Sequence, residues 1–491
     1  MTIRAVRLYN FRGFREAEIG LKPLTVLLGP NSAGKSSFGQ AVAALSHAQK
    51  KYSKTRNASL TPLNPTDAAN WPVDFGFHKD LVTSGVQDRV SIGLETTAGW
   101  IDLGFGLVPG EPELKLSYIA HPGRFDANSA TEQPVSSQGS SIADYSAVRP
   151  APPPISGAVT GIGKIVGVAV QDTRVRLSRK NEQNWCDKDN NFPYVELDGL
   201  LLTTVRYGKD GPEFQVEPAA RLDLRLFLSG VTYFRAVRKR PERCELPGIE
   251  EAQRIGYAGD HTAQILLEVA KKNERIECLF PNAIPNSVDE ARDLIDEPWL
   301  KEELEILPAV GKWLRHLGLA SNVASIESPS QTGYIETKVA LDASLEHRNI
   351  TEVGFGISQV LPIIVAGLLQ SANGTLVVEL PEAHLHPRAQ ADLADFFCSL
   401  VLAGQSAIVE THSEMFFHRL RLRAAMNANL MERIAVYFCD SPGRDGRCIP
   451  PRPVGLTLDA ELKWPSGFLQ EAWEMETQIS AVREARKKSN Q

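Results

Sequence analysis

The segment Gly29-Pro30-Asn31-Ser32-Ala33-Gly34-Lys35-Ser36 constrains this chain more than any other. It fits the spacing G-x-x-x-x-G-K-[ST] at every fixed position. Leu24–Leu28 before it is a short apolar run with strand character, and residues 37–45 after it read as a helix. A glycine loop between a strand and a helix turns backbone N–H groups toward an anion at the helix start. The ligand implied is ATP or another nucleoside triphosphate. Lys35 would reach the β- and γ-phosphates and Ser36 would hold Mg²⁺, with Asn31, Ser32, Gly34 and Ser37 around the phosphates. The plain alternative is a tight glycine turn with no ligand.

The rest of the chain has to supply the sheet in which such a loop sits. Residues 3–9 alternate as a half-buried strand and 10–14 form a turn. Strand patterns recur at 89–95, 100–105, 173–177 and 200–205, while 127–160 is rich in Ser, Ala, Pro and Gln and reads as a flexible insertion. Residues 260–345 read as mostly helical, with Trp299 and Trp313 as core anchors. From 350 onward, helices at 360–369 and 390–401 alternate with strands at 374–379, 406–410 and 434–438. Strands alternating with helices around a P-loop predict a mainly parallel α/β core. That core is split in sequence, with an insertion of roughly 230 residues between its parts.

A carboxylate at the end of an apolar strand is where a Walker-B group belongs, and Glu379 in Val377-Val-Glu-Leu-Pro-Glu-Ala-His-Leu-His-Pro387 fits that place as a hard oxygen ligand for Mg²⁺. The alternative is a strand-end cap. This segment resembles the E-x-P-E-x-H-L-H-P signature of the ABC-class ATPases related to SMC, RecF and the OLD nucleases. Gly354-Phe-Gly-Ile-Ser-Gln-Val-Leu-Pro362 resembles their signature loop, Glu410-Thr-His-Ser-Glu414 their switch-histidine segment, and Asn10-Phe-Arg-Gly-Phe14 their N-terminal motif. Phe234-Arg-Ala-Val-Arg238 and Trp464-Pro-Ser-Gly-Phe468 are similar to elements of a subgroup with a short C-terminal domain of unknown function, common in bacterial antiphage systems.

The resemblance implies an ABC-type P-loop ATPase head, α/β, with a large α+β insertion between the Walker A part and the signature and Walker B parts. The expected division is 1–125 (head, with Walker A), 126–160 (flexible insertion), 161–235 (strand-rich remainder of the head), 236–348 (mostly helical insertion), 349–445 (head, with signature, Walker B and switch histidine) and 446–491 (short tail). It also implies a head-to-tail dimer in which two copies of the chain trap ATP. Arg12 would contact the nucleotide, Ser358 would donate to the γ-phosphate in trans, and His412 would sit near the attacking water. Thr411 and Glu414 also satisfy a capping box, which would place His412 at a helix start. One departure matters: the residue after Glu379, where such ATPases carry the catalytic glutamate, is Leu380. Either Glu382 takes that role, or hydrolysis is slow and ATP acts mainly as a dimerising switch.

Glu382, His384 and His386 are read as interface structure more readily than as a metal site, because no third and fourth ligand is identifiable. Net charge is −6, so any nucleic-acid contact has to come from a local patch. Arg235, Arg238, Lys239, Arg240 and Arg243 form one such patch; Arg174, Arg176, Arg179 and Lys180 form another. Each is read as a phosphate-contacting cluster or as a solvated surface or partner contact, and Arg238 alternatively as part of the nucleotide site. The six cysteines form no C-x-x-C pair, and neither a signal-peptide pattern nor an 18-residue apolar run occurs, so the chain is expected to be cytoplasmic and free of any membrane partner. Residues 471–488 read as an amphipathic helix with a basic end. The stretch after His412 is short for a Toprim nuclease domain, so the expected partner is a separate effector, a nuclease or toxin.

Overall fold

The computed structural model of the chain describes residues 2–52, 89–107, 114–122, 165–168, 193–198, 201–207, 213–215, 218–248, 255–341 and 346–456. The expectations placed on 127–160, 173–180, 464–468 and 471–488 lie outside these described residues.

In chain order the strands begin with β1 (Ala5–Phe11), β2 (Phe14–Gly20) and β3 (Leu24–Leu28), and helix α1 (Ser36–Tyr52) follows the glycine loop. Next come β4 (Arg89–Thr96), β5 (Gly99–Leu107), β6 (Leu114–Pro122), β7 (Ile165–Val168), β8 (Pro193–Asp198), β9 (Leu201–Tyr207) and β10 (Glu213–Gln215). Helix α2 (Pro218–Gly230) leads into β11 (Val231–Phe234), followed by α3 (Thr262–Lys272), β12 (Arg275–Phe280), α4 (Val288–Leu294), β13 (Leu300–Glu305) and α5 (Ile306–His316). β14 (Asn322–Glu327), β15 (Ile335–Ala340) and β16 (His347–Asn349) precede α6 (Phe355–Leu369) and β17 (Thr375–Glu379). The described chain ends with α7 (Pro387–Leu402), β18 (Ser406–Glu410), α8 (Glu414–Met426), α9 (Ala428–Glu432), β19 (Ile434–Phe438) and β20 (Arg452–Val454).

The central sheet has the order β11-β17-β18-β3-β19-β20. Its first five strands are parallel and β20 is antiparallel. β3 and β17, the strands that carry the two halves of the nucleotide motif, are therefore separated by β18. All three strands are buried along their whole length, as expected of parallel strands covered on both faces. Their period of two divides side chains between two cores. Leu24, Val26, Leu28, Leu376, Val378, Ala407 and Val409 join the cluster that includes α6 and α7. Leu27, Val377 and Ile408 join the cluster built from α1 and from strands β1, β2, β4 and β5 of the antiparallel sheet β2-β1-β4-β5-β6-β7. The expected α/β P-loop ATPase class, with material inserted between the Walker A and Walker B parts, is the one observed.

Two expectations need correction. The stretch between the two parts of the core is not wholly inserted, because β11 returns to pair with β17 as the edge of the central sheet. Residues 260–345 are not mostly helical: α3, α4 and α5 alternate with β12–β15. Leu300–Glu305 is rich in Glu, Lys and Leu, which favour helix in isolation, and Arg275–Phe280 carries no clear preference. Tertiary pairing overrides that preference: the two segments form an antiparallel pair in which Cys278 and Phe280 point inward and Lys301 meets Glu277 across the strands at 2.5 Å.

Candidate functional site

β3 delivers the chain to the glycine loop from within the sheet. Gly29 has φ +141°, and a Cβ there would lie 2.2 Å from the Cys439 carbonyl oxygen. Gly34 has φ +84°, and its Cβ would lie 2.6 Å from the Phe14 ring. Both glycines are demanded by backbone conformation and by a close neighbour. Asn31 and Ser32 are exposed at the tip, while Lys35 and Ser37 are buried. The Ser37 N–H donates to Gly34 O at 3.0 Å. Lys35 Nζ folds back onto the loop and donates to Pro30 O at 2.6 Å. Burial lowers its pKa, against the pull of Glu410.

Three carboxylates face this loop, each 7% exposed: Glu379, Glu382 and Glu410. Parallel register sets Glu379 beside Glu410 at the carboxyl ends of β17 and β18. Glu379 Oε1 accepts from Tyr233 Oη at 2.7 Å and from Gln40 Nε2 at 2.9 Å. Glu410 Oε1 accepts from Ser36 Oγ at 2.9 Å and lies 4.0 Å from Lys35 Nζ. Glu382 Oε1 accepts from the His412 N–H at 2.7 Å. Burial raises all three pKa values. Glu410 is pushed up to about 7, first by burial and then by the neighbouring charge of Glu379. Arg238 is the buried counter-charge. Its Nη2 donates to the carbonyls of Glu379 (2.7 Å) and Leu380 (3.0 Å), and burial pulls its pKa down to about 10.

The groups fit a nucleotide with a hard divalent cation. Ser36 Oγ and three carboxylates offer oxygen only, the donor set Mg²⁺ prefers. Glu382 Oε2 and Glu410 Oε2 are buried without a hydrogen-bond partner, so acceptor capacity is left at the place where a cation or its water would sit. Of the two metal residues expected from sequence, Ser36 is bonded to Glu410, whereas Glu379 is held by Tyr233 and Gln40. No sequence motif assigns a role to Glu410, Tyr233 or Gln40. The only signal for Glu410 was its place at a strand end directly before Thr411-His412.

The switch segment lies at the site. Against the opposing effect of the Gly29 backbone, burial and the Lys35 charge lower the His412 pKa, which favours the neutral imidazole. The cap differs from expectation. Ser413, not Thr411, caps α8 by accepting from the Phe416 N–H at 3.1 Å, while Thr411 Oγ1 accepts from the Ser413 N–H at 3.0 Å. Leu380, in the place of the usual catalytic glutamate, has φ +45° and donates its N–H to Glu410 O at 2.9 Å. Arg12 Nη1 bonds Gln40 Oε1, and its charge acts on Glu379.

Ser358 does not bond the P-loop of its own chain. It lies in the first turn of α6, where its Oγ donates to Phe355 O at 2.7 Å. This turn packs on the loop after β17: a Cβ on Gly356 would lie 2.8 Å from His384 O, and the Phe355 and His384 rings meet edge to face at 4.8 Å. His386 caps α7 and His384 is exposed. The one metal-compatible group among the described residues is His316, Asp392 and Asp395. Its carboxylates are already engaged by Arg419 and Arg423 at 2.6–2.8 Å.

Within the basic run Arg235–Arg243, three cations are already engaged inside the chain. Arg238 is buried in the nucleotide site, Lys239 pairs with Glu242 and Glu245, and Arg243 pairs with Glu352. No helix among the described residues is long and apolar enough to cross a membrane.

Comparison with known proteins agrees with the class of site. A family model described as AAA ATPase domain matches residues 1–83 and 265–417. The search of curated proteins gives no significant match. Similar solved structures include an SmcHead bound to the C-winged helix domain of ScpA (10% identity, TM-score 0.40, covering 94% of this chain and 99% of that one). Others are the SMC head domain from Thermotoga maritima (10%, 0.32, covering 93% and 100%) and a Pyrococcus furiosus Smc head with extended coiled coil bound to the C-terminal domain of ScpA (10%, 0.38, covering 98% and 99%). At these scores the likeness bears on neither activity nor partner.

Proposed function

We propose that the chain is a Mg²⁺-dependent ATPase that closes as a dimer on ATP and uses that state to control a separate effector. The observation that carries the reading is the convergence of Lys35, Ser36, Glu379, Glu382, Glu410 and His412 at the carboxyl ends of β3, β17 and β18. Lys35 would exchange Pro30 O for phosphate oxygens, a stronger charge-assisted partner. Ser36, with Glu379 and Glu410, would hold the metal, which supplies neutralisation of the developing phosphate charge. Glu382 would take the proton of the attacking water. Burial makes it a stronger base than an ordinary glutamate, and the His412 N–H fixes its orientation. The neutral His412 ring would donate to the phosphoryl group from beside Gly29.

The trans-acting role of Ser358 and the head formed by 1–125, 161–235 and 349–445 belong to the same proposal, supported by the motif order. Control of a nuclease or toxin, in the manner of bacterial antiphage assemblies, rests on that motif resemblance alone. The test is steady-state ATP hydrolysis by wild type, Lys35→Ala and Glu382→Gln, with nucleotide affinity measured alongside. The expected result is lost affinity for Lys35→Ala, and for Glu382→Gln retained affinity with turnover reduced by roughly 10²–10⁴-fold. Equal rates in all three proteins would falsify the ATPase reading.

A further inference from the structure

A cavity of about 630 Å³ lies behind the nucleotide site, between α1, β11, the 255–261 turn, α3 and α6. Its size is that of a small-molecule pocket. Three of its lining residues, His47, Arg235 and Gln370, carry a buried polar atom with no hydrogen-bond partner. Two of these atoms are complementary: Arg235 Nε is a donor and Gln370 Oε1 an acceptor. Buried polar groups are normally paired, so a complementary pair left open in one cavity calls for an explanation. Gln370 Nε2 does have a partner, Ser406 O at 3.3 Å, so the amide is held in place. The Arg235 side chain makes no ion pair among the described residues, although its backbone N–H is fixed to Tyr257 O at 3.1 Å.

The charge around the cavity favours an anion. Lys50 on α1, Lys272 on α3 and Arg235 just after β11 line it, with Lys50 Nζ donating to Val231 O at 2.6 Å. The two acids there are engaged within the chain: Asp260 accepts from the Ala258 N–H and Glu268 from Gln264. Val269 and Leu369 give the cavity an apolar side. An unpaired guanidinium flanked by lysines matches phosphate geometry and charge. The open Gln370 acceptor asks in addition for a hydroxyl donor on the same ligand.

We propose that this cavity is a second ligand site, for a small phosphate ester bearing free hydroxyls, of the size of a sugar phosphate or mononucleotide. Its position links it to the first site. Tyr233 lines the cavity and donates its hydroxyl to Glu379 Oε1, and α1 carries Ser36 at one end and Lys50 at the other. Occupancy would therefore bear on the Glu379 carboxylate.

The test uses the full chain carrying Lys35→Ala, so that P-loop binding is removed and the outcome does not depend on the ATPase reading. Ribose 5-phosphate, AMP, adenosine and inorganic phosphate are titrated calorimetrically. The expected result is binding of at least one of the two esters, more tightly than adenosine or phosphate alone, weakened about tenfold or more by Arg235→Gln. Lys272→Ala, at an exposed position, should weaken the same ligand while leaving the fold intact, which covers the case in which Arg235→Gln fails to fold. Absence of binding by both esters, adenosine binding as tightly as AMP, or affinity unchanged in the folded variants would overturn the proposal.

Discussion

Glu410 offers the sharpest quantitative test of the site, because its carboxylate is held by one hydrogen bond and by Lys35 at 4.0 Å, yet burial and like charge outweigh both. Glu410→Gln keeps an oxygen for Ser36 Oγ and removes the charge. The folded carboxyl has its pKa raised from 4.5 to about 7, worth about 3 kcal/mol at ~1.4 kcal/mol per pH unit. The sign follows from proton binding. Below about pH 4.5 both folded and unfolded chains hold the proton and nothing is lost. Between that pH and about 7 the unfolded chain ionises first, so stability falls as pH rises; above 7 the loss is complete. The variant has no such loss. For 491 residues the unfolding entropy is about 1 kcal/mol per degree, so the difference amounts to ~3 °C. Thermal melts without nucleotide and with EDTA should match near pH 5, and the variant should melt about 3 °C higher near pH 8. Adding Mg²⁺ and ATP should raise wild type more than the variant, since the ionised carboxylate then has a cation to face. Equal melting at both pH values, or a variant less stable at pH 8, would refute the claim that burial and Glu379 outweigh Lys35 at the Glu410 carboxylate.

Other outcomes follow from the same geometry. Ser358→Arg should leave ATP affinity within a few-fold of wild type yet abolish ATP-dependent dimerisation of the Glu382→Gln chain in sedimentation velocity; dimers that persist would remove Ser358 from the interface. Asp395→Asn should lower the melting temperature by roughly 3–5 °C, because Arg419 and the buried Arg423 would lose the fully buried carboxylate that pairs them; an unchanged melt would show that this network contributes nothing net. Gly29→Ala should be poorly soluble or strongly destabilised, because its Cβ has no room against Cys439 O and its φ suits only glycine; a variant that folds and binds ATP normally would show that the loop is not built as described.

What the sequence made legible is what local chemistry determines. β3, the glycine loop, α1, β17, α7 and β18 were readable because each carries its own signal: an apolar run, a fixed spacing or a helical period. Side chains whose roles depend on neighbours were not readable. Glu410 becomes part of the site only because β18 lies between β17 and β3, an arrangement that no short motif encodes. Tyr233 and Arg238 reach Glu379 and its neighbour because β11 crosses from the middle of the chain to pair with β17. A run of five cations therefore looked like a surface patch, although one of them binds two backbone carbonyls in the interior. The same reasoning explains why Leu380 is tolerable in the place of a catalytic acid. With Glu379, Glu382 and Glu410 already buried around one loop, and with Glu410 pushed up to about 7, a fourth carboxylate would add repulsion that Lys35 and Arg238 have no further charge to offset. The leucine then lets three acids share the site, and in the proposed mechanism the proton-taking role goes to the one held by the His412 N–H, which is Glu382.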